Sequence, residues 1–148
     1  MTTREAAGRK MHHRLLIVDD EESMRLFLAR ILVNGLQAEV TLAGTCEQAL
    51  HLAGNYAYDA ILLDLLMPGI GGFGVLKEIR AGSANMTTPI LIISVVSEQE
   101  ATDRCIAAGA DGFLVKPVER RALVYALKAL LAARGKVKRK PRNPGEDG

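Results

Sequence analysis

Residues 60–68 read Ala-Ile-Leu-Leu-Asp-Leu-Leu-Met-Pro. Four aliphatic residues in a row, with no polar alternation, fit a strand buried on both faces, as in a parallel sheet covered by helices on either side. The run breaks at Asp64, and Pro68 and Gly69 then turn the chain. This segment alone predicts a central strand that delivers a carboxylate to the carboxyl edge of a sheet.

Working outward, the pattern repeats. Residues 15–18, 38–42 and 90–93 are further aliphatic runs of strand length, and residues 112–115 form a shorter, weaker fifth. Between the first two, Met24, Phe27, Leu28, Ile31 and Leu32 recur at intervals of three and four, predicting one apolar stripe on a helix that ends near Gly35. Residues 45–53, 75–79, 101–108 and 118–133 continue the helical spacing. Ser97 followed by Glu100 resembles a capping box, and Gly109 and Gly135 stand where glycines that close helices belong. Five strands alternating with five helices predict an α/β fold, a parallel sheet with helices on both faces. Right-handed crossovers then bring the functional loops to the carboxyl ends of the strands.

Composition narrows the class. A chain of 148 residues with 49% hydrophobic and 24% charged residues suits one globular domain. Aromatics are 4% with no Trp, which disfavours a surface for stacking bases or sugars. Cys46 and Cys105 are far apart, without a CxxC pair, and read as small buried hydrophobes. No secretory or membrane-spanning segment can be read, so a cytoplasmic location and no membrane contact are expected. Residues 14–134 carry eleven Lys/Arg against fourteen Asp/Glu, a net −3, whereas 1–13 and 135–148 are basic. A nucleic-acid-binding domain would carry its positive charge on the folded body, so nucleic acid is not expected to bind there. The terminal segments lack periodicity: 1–13 is expected to be disordered, 14–134 to be the domain, and 135–148 a basic flexible tail or linker.

The predicted strand ends share a chemistry. The first ends in Asp19-Asp20, followed by Glu21; the third in Asp64; the fourth in Ser94; the fifth in Lys116-Pro117. Any one of these could be a capping or turn residue. Four strand ends converging with three carboxylates, a hydroxyl and an ammonium point to a site. The carboxylates repel one another and call for a hard cation such as Mg²⁺, which accepts oxygen ligands. Lys116 and Ser94 can each pair with a phosphoryl oxygen. With charge drawn off by a metal and a lysine, a carboxylate can attack a phosphoryl group and form an acyl phosphate.

At these residues the chain resembles the receiver domain of two-component response regulators, of the chemotaxis type. The motifs are Leu15 to Glu21, Asp64-Leu65-Leu66-Met67-Pro68 with Gly72, Ser94, and Lys116-Pro117. The resemblance implies a flavodoxin-like, doubly wound five-stranded parallel sheet of order 2-1-3-4-5 with five helices. It implies that Asp64 accepts a phosphoryl group from a histidine kinase or phosphotransfer protein. Asp19, Asp20, Asp64 and the backbone carbonyl of Leu66 would hold Mg²⁺, and Lys116 would contact the phosphoryl group through a loop with a cis bond to Pro117. Ser94 would move toward the phosphoryl oxygen, Phe113 would turn inward, and the face of the fourth helix, fifth strand and fifth helix would signal to a protein target or effector domain. A phosphorylation-dependent homodimer is compatible with such a role. The chain is then a signalling domain rather than an enzyme, catalysing only its own phosphorylation and dephosphorylation.

Two departures from the family pattern stand out. Gly71 occupies a place where many receivers carry Asp, which suggests a more mobile loop. Leu66, Val95 and Val96 make the surroundings of Asp64 unusually aliphatic, which predicts slow self-dephosphorylation. Three competing readings are weaker. Residues 69–74 satisfy G-x-G-x-x-G, but Asp64 would repel a pyrophosphate, and the run sits in the third rather than the first βα unit. A haloacid-dehalogenase-type phosphatase would need a second acid where Leu66 stands. A degenerate receiver is disfavoured by the intact acidic set.

Overall fold

The computed structural model describes residues 12–139, with side chains through residue 135. Strands β1 (Arg14–Val18), β2 (Glu39–Ala43), β3 (Ala60–Leu63), β4 (Ile90–Ser94) and β5 (Gly112–Val115) alternate with helices α1 (Glu22–Leu36), α2 (Cys46–Asn55), α3 (Gly71–Gly82), α4 (Gln99–Ala107) and α5 (Arg120–Arg139). All four strand pairings are parallel, and the order is β2-β1-β3-β4-β5. This is the doubly wound, flavodoxin-like sheet expected from the sequence.

The two-residue period of the strands divides the core into two layers. Leu16, Val18, Ile61, Leu63, Ile90 and Ile92 face α2, α3 and α4, meeting Ala49, Val75, Leu76, Ile79 and Cys105. Leu15, Ile17, Ala60, Leu62, Leu91 and Ile93 face the other way, onto Leu28, Ile31 and Leu32 of α1 and Leu123, Leu127 and Leu131 of α5. Every residue of β3 and β4 is buried, which is why those strands read as unbroken apolar runs.

At the end of the sheet remote from the strand carboxyl termini, Asn85 holds the packing together. Its amide accepts from Tyr58 N and from the Thr88 hydroxyl, and donates to Ala53 O and Tyr56 O. A single buried side chain thus ties the exit of α2 to the entry of β4.

Several local expectations need correction. Strand β2 begins one residue late, with Ala38 buried ahead of it. Phe27 is exposed, so the buried face of α1 is narrower than the periodic stripe implied. The first turn of α4 has Glu98 at its N-cap, without a side-chain cap, so Ser97 lies one residue too early for the capping box. Gly109 does close α4, at φ +111°. Gly135 does not close α5: the helix continues to Arg139, so residues 135–139 belong to it rather than to a tail. The remainder of the expected tail, 140–148, and residues 1–11 lie outside the described residues.

Candidate functional site

Register brings the acids together. Val18 pairs with Leu63, and the Asp64 amide then donates to Val18 O at 3.0 Å, so Asp19 and Asp64 leave adjacent strands side by side. Asp20, exposed, completes a group whose carboxylate oxygens lie within 4.8 Å of one another. Asp19 and Asp64 are 1% and 5% exposed. Lys116, from the far edge strand, reaches both: its Nζ lies 2.9 Å from Asp19 Oδ2 and 3.4 Å from Asp64 Oδ2. The bond between Lys116 and Pro117 is cis.

The remaining carboxylate oxygens are oriented by backbone amides. Asp19 Oδ1 accepts from Glu21 N at 2.9 Å, and Asp64 Oδ1 accepts from Leu66 N at 3.2 Å. Burial pushes the Asp64 carboxyl above its ordinary value of 3.8, and the charge of Asp19 pushes the same way. The Leu66 amide and Lys116 oppose this without overcoming it. Burial works against the charge of Lys116 too, but its hydrogen bond to Asp19 and the charges of Asp64 and Asp19 hold the ammonium above 10.5. One cation therefore bridges two of three carboxylates and leaves negative charge in excess. An all-oxygen cluster of this kind is compatible with a divalent metal.

Ser94 is fully buried at the end of β4 and its Oγ accepts from Val96 N at 3.3 Å; it makes no hydrogen bond to the carboxylates. Phe113 is half-buried against the core layer beneath α2, α3 and α4. The structure thus joins Asp19, Asp20, Asp64 and Lys116 directly and leaves Ser94 and Phe113 outside their hydrogen-bonded group. Leu66 and Val95 are 52% and 58% exposed, an apolar rim around the acids. The Leu66 carbonyl accepts no hydrogen bond from a described residue.

The glycines of residues 69–74 have a steric reason. A Cβ on Gly72 would stand 1.9 Å from the carbonyl oxygen of Asp64 and 2.6 Å from Leu65 Cα, while the Gly72 amide donates to Leu65 O at 2.9 Å. Gly69 and Gly71 have φ of +91° and +77°. Backbone geometry thus accounts for Gly69, Gly71 and Gly72, while at Gly74 an added Cβ would crowd the Ile70 side chain.

Arg25 was not singled out from the sequence. From the end of the first turn of α1 its NH1 donates to the Asp19 carbonyl at 2.7 Å, and it lies against Gly44, where a Cβ would be 2.7 Å from the same nitrogen. It pins the main chain that presents two of the three acids. Arg25→Ala is expected to weaken any divalent-metal binding at this cluster by about tenfold, as loss of an orienting partner does. Calorimetric titration of Mg²⁺ checks this, and an unchanged affinity would show that the loop holds itself.

Comparison with known proteins follows the same lines. A family model described as the response regulator receiver domain matches residues 15–128. The chain is 36% identical over 119 residues to the sensory/regulatory protein RpfC of Xanthomonas campestris pv. campestris, covering 79% of this chain and 16% of that one. It superposes on the chemotaxis protein CheY4 of Vibrio cholerae with a TM-score of 0.76 and 32% identity, covering 81% and 99% of the two chains. The receiver domain of sensor histidine kinase PA1611 from Pseudomonas aeruginosa PAO1, solved with a magnesium ion coordinated in its active site cleft, gives 0.75 at 28% identity, covering 82% and 99%. The chain spans less than half the length of the first curated relatives it matches. No helix among the described residues is long and apolar enough to cross a membrane.

Proposed function

The chain belongs to the response regulator receiver domain family of two-component signalling, and from that premise we propose that Asp64 is its phosphoacceptor. The observation that carries the assignment is Lys116 bridging Asp19 and Asp64 at the mouth of a three-carboxylate crevice. An Asp64 carboxylate oxygen attacks the phosphorus of a phosphohistidine on a kinase or phosphotransfer protein. The new O–P bond forms as the P–N bond breaks, and the imidazole leaves with the electron pair. Asp19, Asp20, Asp64 and the Leu66 carbonyl would hold Mg²⁺, which neutralises charge on the phosphoryl oxygens when bound. Lys116 steadies the phosphoryl group with its ammonium. Its raised pKa keeps that charge throughout the physiological range.

Ser94 and Phe113 act after transfer. The phosphoryl group brings about −1.5 to −2 charge units and strong acceptor oxygens. The Ser94 hydroxyl, now accepting from Val96 N, turns to donate to a phosphoryl oxygen. Phe113 moves into the space released, and α4, β5 and α5 change the surface offered to an effector domain, a target protein or a second phosphorylated copy. On this reading the domain begins at residue 14 and includes the whole of α5, works in the cytoplasm, and turns over no substrate beyond its own acyl phosphate.

Incubation with Mg²⁺ and acetyl phosphate, followed by mass spectrometry, tests the proposal. Acid-labile phosphate is expected, and its absence would sink the assignment. The aliphatic surroundings add a kinetic expectation: Leu66 and Val96, two residues beyond Asp64 and Ser94, cannot orient a hydrolytic water, so the acyl phosphate persists. Leu66→Asn should shorten its lifetime severalfold. A lifetime of seconds that Leu66→Asn leaves unchanged would refute that link.

A further inference from the structure

Helices α3 and α4 cover the same face of the sheet, yet they pack much less closely on each other than α2 and α3 do. Their facing positions carry short side chains, Ala81 on one side and Ala107 and Ala108 on the other. The result is a groove of about 520 Å³. From Phe73 to Ala81 it runs eight residues of helix, about 12 Å at about 1.5 Å per residue. It is shallow and open to solvent, its apolar lining is Phe73, Ala81, Ala107 and Ala108, and no carboxylate lines it.

Its walls are cationic. Arg104 Cζ lies 4.5 Å from the centre of the Phe73 ring and Lys77 Nζ 5.5 Å. The ring thereby holds two positive charges near one another without neutralising either. Neither is within ion-pair distance of a carboxylate among the described residues. The third cation, Arg80, is occupied: it bonds Asp111 at 2.9 Å and the carbonyls of Gly109, Asn85 and Met86. A body with net −3 thus concentrates two uncompensated cations at one apolar cleft.

We infer that this groove docks an acidic amphipathic helix of a partner protein, with small apolar residues entering between α3 and α4 and carboxylates meeting Lys77 and Arg104. Two helices left apart by alanines accept a third in the helix-in-groove manner. A lane of this length takes about two turns of it. Complementary charge selects the partner and sets its register. A free anion would use the cations alone and leave the alanines uncovered. The inference does not depend on the phosphoacceptor assignment, because none of these residues touches the carboxylate crevice.

The probe is a helix-forming peptide of about fifteen residues, built of Ala and Leu with Glu along one edge, titrated into isotope-labelled protein. Its Gln counterpart and inorganic phosphate serve as comparisons. The Glu peptide should give saturable amide shifts at Phe73, Ala81, Arg104, Ala107 and Ala108. Binding should weaken about tenfold with Lys77→Glu/Arg104→Glu, two screened ion pairs together, and fall with added salt. Three outcomes overturn the proposal: no saturation, equal binding of the Gln peptide, or indifference to the double reversal. Phosphate producing the same shifts at the same affinity would also overturn it, since that marks an anion site without a partner. Lys77 and Arg104 are exposed, so the double variant should still be labelled by acetyl phosphate. That separates a failed groove from a failed phosphoacceptor.

Discussion

Asparagine in place of Asp64 is expected to reduce labelling by acetyl phosphate to background and, without divalent metal at neutral pH, to raise the melting temperature. The first effect follows from removing the carboxylate proposed to form the acyl phosphate; labelling that survives would move the acceptor elsewhere. The second follows from the environment of the group. Burial and the nearby charge of Asp19 raise the Asp64 pKa, so the folded chain holds that proton more tightly than the unfolded chain does. Below about 3.8 both states keep it and the charge costs nothing. As the pH rises through the shifted value, the ionised carboxylate makes folding less favourable, and asparagine avoids that cost. The gap between variant and wild type should therefore close toward acid pH, and also when Mg²⁺ is added to the wild type. A variant that melts lower at neutral pH without metal would mean that the Lys116 contact outweighs burial.

Gly72→Ala should be nearly as disruptive, and by a different route. A methyl group 1.9 Å from the Asp64 carbonyl and 2.6 Å from Leu65 Cα meets main chain on both counts, so no side-chain rotation relieves it. Forcing the loop outward should cost about 3 kcal/mol. For a domain of this size that is a fall of about 10 °C in melting temperature. Labelling should fall too, because the displaced main chain is that of Asp64. Gly82→Ala is the matched control: it lies in the same helix, and an added Cβ there meets nothing within 4 Å. Equal melting temperatures for the two variants would remove the steric account of this loop.

The same residues show what a reader of the sequence can and cannot see. Asp19 and Asp64 are legible because each terminates an unbroken aliphatic run, Lys116 because it follows the weaker run 112–115, and parallel register turns such termini into neighbours. Arg25 is not, because between Met24 and Phe27 it reads as the polar side of an amphipathic helix. Only the tertiary approach of α1 to Asp19 gives its guanidinium a target. Asn85 is equally silent: its neighbours Ser83 and Ala84 suggest an ordinary turn, whereas its four partners come from residues 27 to 32 positions earlier and from Thr88. The α5 terminus lies beyond Gly135 because a glycine costs a helix only about 1 kcal/mol, which its neighbours overrule.

Cys46 and Cys105 are 3% and 1% exposed, and the Cys46 thiol donates to the Pro68 carbonyl. Thiol-directed dyes and spin labels need an accessible thiolate, so neither cysteine offers a ready attachment point. With no Trp in the chain, no indole emission competes when excitation is set beyond the tyrosine band. A single engineered cysteine or Trp at exposed Val95 would then report alone. Fluorescence at that position could time each arrival and loss of phosphate in one cuvette, without a radioactive donor.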